Sequence, residues 1–235
     1  MNENEFTRSR ALMGEYAFAR LAAARITIFG VGGVGGWCAE ALLRTGARHI
    51  TLIDDDLVAP SNINRQRQAI PSTIGQPKVE VLAAILREIA PDAQIAAQQE
   101  RYTPETAAAF NALIRSSDFV IDAIDSVDCK LHLIRHCTEC ECILFSSMGA
   151  ALRTDPTKIR IAPFHKVTGD GLARALRNRF RNERLDLPRH LCVYSEEPPK
   201  TLPNALKGSI MPVTCAFGMT LASLVLNHTS APHQP

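Results

Sequence analysis

The sequence predicts an α/β protein: a Rossmann-like, doubly wound, mostly parallel sheet with helices on both faces. Three observations carry this. Short apolar, β-branched runs alternate with longer segments of helical periodicity, as in strand–helix–strand units whose strands are covered on both sides. The first such run, Arg25-Ile26-Thr27-Ile28-Phe29, leads directly into Gly30-Val31-Gly32-Gly33-Val34-Gly35-Gly36. The second, His49 to Ile53, ends in Asp54-Asp55-Asp56, so a carboxylate stands at a strand tip close to the glycine loop.

The elements follow in order. Gly30, Gly32 and Gly35 fit G-x-G-x-x-G, in which the first glycine allows a tight turn, the second lets backbone approach phosphate and the third lets helix pack on strand. Trp37 to Thr45 is the helix that follows, stopped by Gly46. Its N-terminus offers free N–H groups and a partial positive charge to an anion. Pro77 to Ala90 reads as a helix, Asp92 to Gln98 as the third strand and Pro104 to Arg115 as another helix. Asp118 to Ile121 is the fourth strand, Val127 to Cys137 a helix and Cys142 to Ser147 the fifth strand. Lys158 to Ala162 and Leu191 to Tyr194 read as later strands around an amphipathic helix over Leu172 to Phe180, and Ser195 to Lys207 as an exposed loop. Ile210 to Leu226 carries no charge; Ser209 can cap it and Pro212 can occupy its first turn. It falls short of a comfortable membrane span and reads as a buried closing helix, with membrane association the alternative. A chain of 235 residues can bury a sizeable core as one large domain. Its division is a nucleotide-binding half over 8–150, a substrate-side half over 151–227 and a tail over 228–235.

A glycine loop alone suggests a dinucleotide and hydride transfer. The residues after it point elsewhere. Asp54 is positioned to grip ribose hydroxyls, with Asp56 beside it. Asn62, Asn64, Arg65, Gln66 and Lys78 then place cations and amide donors where a dehydrogenase has no general need of them. A site that cleaves ATP does need cations there, because negative charge grows as pyrophosphate leaves. Asp122-Ala123-Ile124-Asp125-Ser126 sits at the carboxyl edge of the sheet, where doubly wound folds bind ligands. Asp125 there can hold magnesium beside phosphates or cap the next helix.

Taken together, Gly30-Val-Gly-Gly-Val-Gly, Asp54-x-Asp56, Asn62-x-Asn64-Arg65-Gln66, Gly75-x-x-Lys78 and Asp122-Ala-Ile-Asp125-Ser126 resemble the ThiF/MoeB/HesA superfamily of ubiquitin-activating-type enzymes, which adenylate a carboxylate. The resemblance covers roughly residues 8 to 226. Within the superfamily the chain is most similar to the tRNA threonylcarbamoyladenosine dehydratase branch, on Asn62 to Gln66, Val120 to Val127, Lys130 and Val193-Tyr194-Ser195-Glu196. The resemblance implies an ATP-dependent, cytoplasmic enzyme that adenylates the threonyl carboxylate of the modified nucleoside at tRNA position 37. The carbamoyl group then closes the ring, and pyrophosphate and AMP are released. Arg65, Lys78 and Arg10 would stabilise phosphate charge, Asn62 and Gln66 would position it, Asp54 would hold the ribose and Asp125 a magnesium ion, with the glycine loop (Gly33 included) and Ser126 completing the nucleotide site. The resemblance also implies a homodimer in which Arg10 reaches the partner's site, antiparallel later strands, a mobile crossover over the loop after Ser195, and sulfur-relay proteins as possible partners. Adenylation of the C-terminus of a ubiquitin-like sulfur carrier is the alternative, and a non-catalytic or NAD-dependent module a more distant one.

The cysteines bear on that choice. Members that activate proteins usually bind zinc through two Cys-x-x-Cys pairs. This sequence has one such spacing, Cys137-x-x-Cys140, upstream of the expected place. Seven cysteines, an odd number, and a polar start without an apolar signal core argue against a disulfide framework. Cys192 and Cys215 are candidate nucleophiles, although a dehydratase of this kind needs no cysteine. The net charge of +2 hides an asymmetry: Ala151 to His190 holds ten Lys or Arg against four acids. On the amphipathic helix these arginines would be exposed, suiting a phosphate-rich partner such as tRNA or forming an ordinary solvated face.

Overall fold

The structure is a computed structural model that describes residues 5–203 and 207–231. Two short helices, α1 (Thr7–Met13) and α2 (Glu15–Ala23), precede β1 (Arg25–Phe29), α3 (Gly35–Thr45) and β2 (His49–Ile53). After α4 (Lys78–Ile89) come β3 (Gln94–Gln98), α5 (Asn111–Ser116), β4 (Phe119–Asp122), α6 (Val127–Glu139) and β5 (Ile143–Ser147). The chain closes with β6 (Ile159–Pro163), α7 (Gly171–Asn182), β7 (Leu191–Ser195) and α8 (Met211–Ser230).

The seven strands form one sheet in the order β3-β2-β1-β4-β5-β7-β6. Side chains alternate across it, as strand period requires. Ile26, Ile28, Leu52 and Ile121 enter a core under α3, α4 and α8. Phe29, Ile53, Val120 and Leu144 enter a second core under α5, α6 and α7. Both faces are therefore covered, which is why the strands read as continuous apolar runs. The order reverses at β1, which pairs in parallel with β2 on one side and β4 on the other. In sheets of this type ligands bind at that switch point, beyond the carboxyl ends of the strands.

Several expectations are refined. β7 pairs in parallel with β5, and among the strands of the described residues the one antiparallel pair is β6 with β7. The loop after β5 turns the chain back so that β6 alone runs against the others at the sheet edge. The helix expected from Pro104 is a 3-10 turn over Ala107–Phe110 followed by the short α5. Thr106 explains the delay: its hydroxyl donates to the Arg101 carbonyl and accepts from the Thr103 N–H, so local side-chain bonds compete with helix. Of the loop expected over 195–207, Ser195 is instead a buried residue of β7, and residues 204–206 lie outside the described residues. α8 runs to Ser230, past the expected start of a tail, and residues 232–235 also lie outside the described residues.

α8 has the length and hydropathy of a membrane span, yet Val213, Phe217, Leu221 and Val225 are fully buried in the first core. Gly218 explains how closely α8 lies against α3. A Cβ there would come within 2.5 Å of the Val34 carbonyl oxygen.

Candidate nucleotide-binding site

An 830 Å3 cavity opens at the switch point. Its floor is the glycine loop. Gly30 has φ +86°, a left-handed conformation that favours glycine, and a Cβ on it would lie 2.8 Å from the Ala123 carbonyl oxygen. Gly30 also donates its N–H to the Ile53 carbonyl, so the ends of β1, β2 and β4 converge on this residue. A Cβ on Gly35 would lie 1.9 Å from the Gly30 carbonyl oxygen, so α3 can begin this close to β1 only with glycine there. Gly32 and Gly33 line the cavity between these fixed points, and the Arg65 side chain packs over Gly33. The cradle leaves room for phosphate at the N-terminus of α3.

The walls carry charge. Lys78 begins α4, and its side chain is buried, with Nζ 2.5 Å from Asp56 Oδ2. Asp56 itself is open to solvent. Asp54 accepts the Val31 N–H at 2.8 Å through one oxygen and the Asp56 N–H at 2.9 Å through the other. It therefore ties the glycine loop to the end of β2. Burial raises its carboxyl above the ordinary range, opposed by the Lys78 charge and by the two N–H donors. Each oxygen keeps a lone pair, so Asp54 can still accept from a ribose hydroxyl. Arg65 is half-buried and donates to the Ser61 carbonyl at 2.8 Å and to Asn64 Oδ1 at 2.9 Å, which aims its guanidinium along the cavity wall. Asn62 and Gln66 are buried lining residues; Asn62 Oδ1 accepts the Ala59 N–H, which fixes the loop that presents Arg65. Asp125 and Ser126 complete the wall opposite.

The structure brings most of the expected residues together; Gly35 packs beneath the loop without lining the cavity, and Asn64 and Arg10 stand apart. Asn64 does not line the cavity: its Nδ2 donates to the Ser209 carbonyl at 2.8 Å while its Oδ1 orients Arg65, so it acts through Arg65. Arg10 is remote from the cavity of its own chain. It pairs with Glu15 at 2.7 Å and lies over the Phe18 ring at 4.3 Å. Asp125 is exposed and does not cap α6, whose N-cap is Ser126. The three carboxylates of Asp54, Asp55 and Asp56 can approach one another within 4.8 Å, and Asp125 is not among them. The donor set, carboxylate oxygens on two sides of a phosphate cradle, suits a hard cation shared with phosphates.

The far half of the cavity was not read from the sequence. Met148 and Gly149 follow β5, and Asp170 stands before α7. Asp170 caps α7 through the Ala173 N–H, accepts the Gly149 N–H and pairs with Arg153 at 3.1 Å, with both side chains buried. The available signal was the N-cap pattern of Asp170 ahead of Gly171. Arg153, counted from the sequence in the basic segment, is thus a buried strut. Arg177 is also taken up, donating to the Val167 carbonyl at 2.8 Å, because the half-buried side of α7 reaches back to the loop before it. Arg174, Arg181, Arg184 and Arg189 are exposed, and Arg179 pairs with Asp128. α7 therefore starts at the cavity, where Gly171 and Leu172 line it, and carries its remaining arginines outward.

Behind the wall, Lys130 and Asp122 form a fully buried pair at 2.7 Å, and Lys130 also donates to the Ile124 carbonyl, holding the segment that leads to Asp125. Neither candidate cysteine is activated. Burial pushes the thiols of Cys192 and Cys215 up, the opposite of what a nucleophile requires.

Fold and site together define a doubly wound α/β nucleotide-binding protein whose cavity pairs a phosphate cradle with an arginine and a lysine. The chain matches the ThiF family over residues 6–234 and belongs to that family. It is 38% identical to the tRNA threonylcarbamoyladenosine dehydratase of Bacillus subtilis over 196 residues, covering 83% of this chain and 76% of the relative. To the Escherichia coli dehydratase it is 40% identical over 178 residues, covering 76% of this chain and 66%, just under two thirds, of the relative. The crystal structure of the E. coli tRNA N6-threonylcarbamoyladenosine dehydratase in complex with ATP superposes with a TM-score of 0.89 at 35% identity, over 96% of this chain and 93% of the other.

Proposed function

We propose that this chain is an ATP-dependent tRNA threonylcarbamoyladenosine dehydratase. The observation that carries the reading is the convergence of Arg65 and Lys78 on a glycine cradle in a chain this similar to dehydratases of that name. ATP is a substrate. Its phosphates lie along the cradle and its ribose reaches Asp54. The threonyl carboxylate of the modified nucleoside attacks the α-phosphorus, and the bond to pyrophosphate breaks. The acyl-adenylate then loses AMP as a nitrogen of the carbamoyl group closes onto the carbonyl carbon. Net loss of water from the nucleoside is thereby driven by conversion of ATP to AMP.

Lys78 and Arg65 offset the charge that grows on the departing pyrophosphate, and Asn62 and Gln66 hold the loop from which Arg65 acts. Lys78 is anchored rather than mobile, because Asp56 fixes its tip, so little reorganisation accompanies charge development. Asp125, with Asp54 and Asp56 across the cradle, would hold a magnesium ion, which supplies Lewis-acid charge at the phosphates. The half of the cavity beyond β5, with Gly149, Leu172 and Asp170, receives the nucleoside, and the outward arginines of α7 meet the tRNA backbone. The division at residue 150 follows: the first half holds ATP and the second half the acceptor.

Arg10, remote from its own cavity, serves the neighbouring subunit of a homodimer, exchanging its Glu15 contact for phosphate charge. Sulfur-relay proteins are further candidate partners. A cytoplasmic location, where ATP and tRNA meet, fits these substrates. The alternative acceptor is the C-terminus of a ubiquitin-like sulfur carrier. It is favoured less because this sequence holds one Cys-x-x-Cys spacing rather than two.

Isotope exchange between pyrophosphate and ATP separates the two. Exchange that requires tRNA carrying the threonylcarbamoyl group supports the proposal. Exchange that ignores this tRNA but responds to a small protein ending in Gly-Gly would favour the alternative.

A further inference from the structure

The C-terminus of α6 is a Schellman cap built from cysteines. Cys137 occupies the third position from the cap, Cys140 is the cap, Glu141 follows and Cys142 comes next. Both defining hydrogen bonds are present: the Cys142 N–H donates to the Cys137 carbonyl at 3.2 Å, and the Glu141 N–H to the Thr138 carbonyl at 3.2 Å. Glu141 takes the left-handed conformation that this motif demands, φ 56°, although it is not glycine. The motif brings the side chains of the third-last position and of the second residue beyond the cap together, a contact that is usually hydrophobic. Here both are thiols. The Cys142 thiol donates to the Cys137 carbonyl at 3.5 Å, and the Cys142 N–H donates to the same carbonyl, so the two residues lie side by side in the cap.

The two thiols are unequal. Both line a 410 Å3 cavity with Arg189 and His190, but Cys137 is fully buried, whereas Cys142 is partly exposed. Contact with the Cys137 thiol holds the Cys142 thiol below the usual range, while the same contact and burial push Cys137 up. That is the arrangement of an attacking and a resolving cysteine. Cys140 is the cap itself and belongs to neither contact position.

We propose that Cys137 and Cys142 are a redox modification site that closes to an intramolecular disulfide when Cys142 meets a hydroperoxide. The Cys142 thiolate attacks one peroxide oxygen and the O–O bond breaks, leaving a sulfenic acid and, with hydrogen peroxide, water. The Cys137 sulfur then attacks the sulfenic sulfur, the S–O bond breaks and a second water departs with the Cys137 proton. Two electrons pass from the thiols to the peroxide, and a dithiol reductant reverses the change. The bond would tie the end of α6 to the start of β5, two elements whose other ends, at Ser126 and Ser147, line the nucleotide cavity.

The test uses the folded full chain and hydrogen peroxide. Protein is exposed to a limited dose, the remaining thiols are alkylated, and peptides are weighed after digestion. The expected result is loss of alkylation at Cys137 and Cys142 together, a peptide lighter by two hydrogens, and full recovery with dithiothreitol. Cys140→Ser should leave this unchanged, and Cys142→Ser should keep Cys137 reduced at the same dose. Further oxidation of Cys142 with Cys137 still alkylatable would overturn the proposal. So would a disulfide that disappears in Cys140→Ser, or one that forms equally fast in urea-unfolded chain.

Discussion

Lys78 Nζ and Asp56 Oδ2 lie 2.5 Å apart at the mouth of the nucleotide cavity, with the lysine stem buried and the aspartate in water. An exposed partner contributes little to stability, because its charge stays solvated when the pair is broken. The pair's worth is positional: it fixes one cation beside the phosphate cradle. Lys78→Met, which keeps the apolar stem, should therefore lower ATP-dependent turnover on the order of 100-fold or more while shifting unfolding free energy by no more than about 1 kcal/mol. Steady-state rates and urea unfolding of the same preparation check both halves.

The glycine loop yields a graded comparison. Gly35→Ala places a methyl 1.9 Å from the Gly30 carbonyl oxygen, a clash with backbone that cannot step aside. Gly75→Ala meets only the conformational cost of φ +84°, with nothing within 4 Å. The second should cost roughly 1–2 kcal/mol and leave ATP affinity intact. The first should cost more and weaken ATP binding. Equilibrium unfolding and nucleotide titration distinguish them, and equal effects would contradict the reading of Gly35.

The buried Arg153–Asp170 pair makes an opposite prediction to Lys78–Asp56. Asp170→Ala removes the cap of α7 and the acceptor of the Gly149 N–H, and strands a buried guanidinium. The expected loss is about 3–5 kcal/mol, read by urea unfolding. Adding Arg153→Met to it should recover part of that loss, since no unpaired charge then remains buried.

His190 gives a pH dependence with a definite sign. Its ring stacks on Phe164 with centroids 5.6 Å apart, and its Nδ1 is buried without a partner among the described residues. Burial, reinforced by the Lys130 charge, lowers its pKa from 6.5 to about 3. The imidazole is thus neutral in the folded state and protonates more readily when unfolded. Its contribution is present above pH 6.5 and is lost as pH falls from there toward 3, by at most about 1.4 kcal/mol per pH unit. His190→Gln should flatten the profile in that window, as measured by unfolding at a series of pH values.

Arg10 is tested by complementation. Arg10→Ala and Lys78→Met should each be nearly inactive alone. If Arg10 acts on the neighbouring subunit, mixing and re-equilibrating the two variants creates dimers with one intact site and restores about a quarter of the wild-type rate. No recovery would contradict action of Arg10 on the neighbouring subunit.

The first two βα units were legible because one physical pattern dictates them. β1 and β2 fall on the expected residues, for an apolar run that ends in a glycine loop or an acidic triplet has little alternative. What a side chain does inside the site was less legible. Asp54, expected to grip a ribose, binds the glycine loop's own backbone, and Asn64 turns away to Ser209. Both are long-range contacts that no local spacing encodes. Arg153 reads as one more surface arginine until the fold brings Asp170 to it. The half of the cavity beyond β5 is assembled from separate loops, so its residues carry no compact motif. α3 begins two residues early for a related reason: Gly35, unpromising by helix propensity, is admitted because a Cβ there would strike the Gly30 carbonyl oxygen, and Gly36 follows it into the helix.

What most distinguishes the proposed reaction is that the activated carboxylate belongs to a tRNA nucleoside. The most direct test incubates the chain with ATP, magnesium and tRNA carrying threonylcarbamoyladenosine, then digests the tRNA and weighs its nucleosides. The expected result is an ATP-dependent product lighter by one water, with AMP formed in equal amount. An unchanged nucleoside mass, with the enzyme competent to turn over ATP, would contradict it.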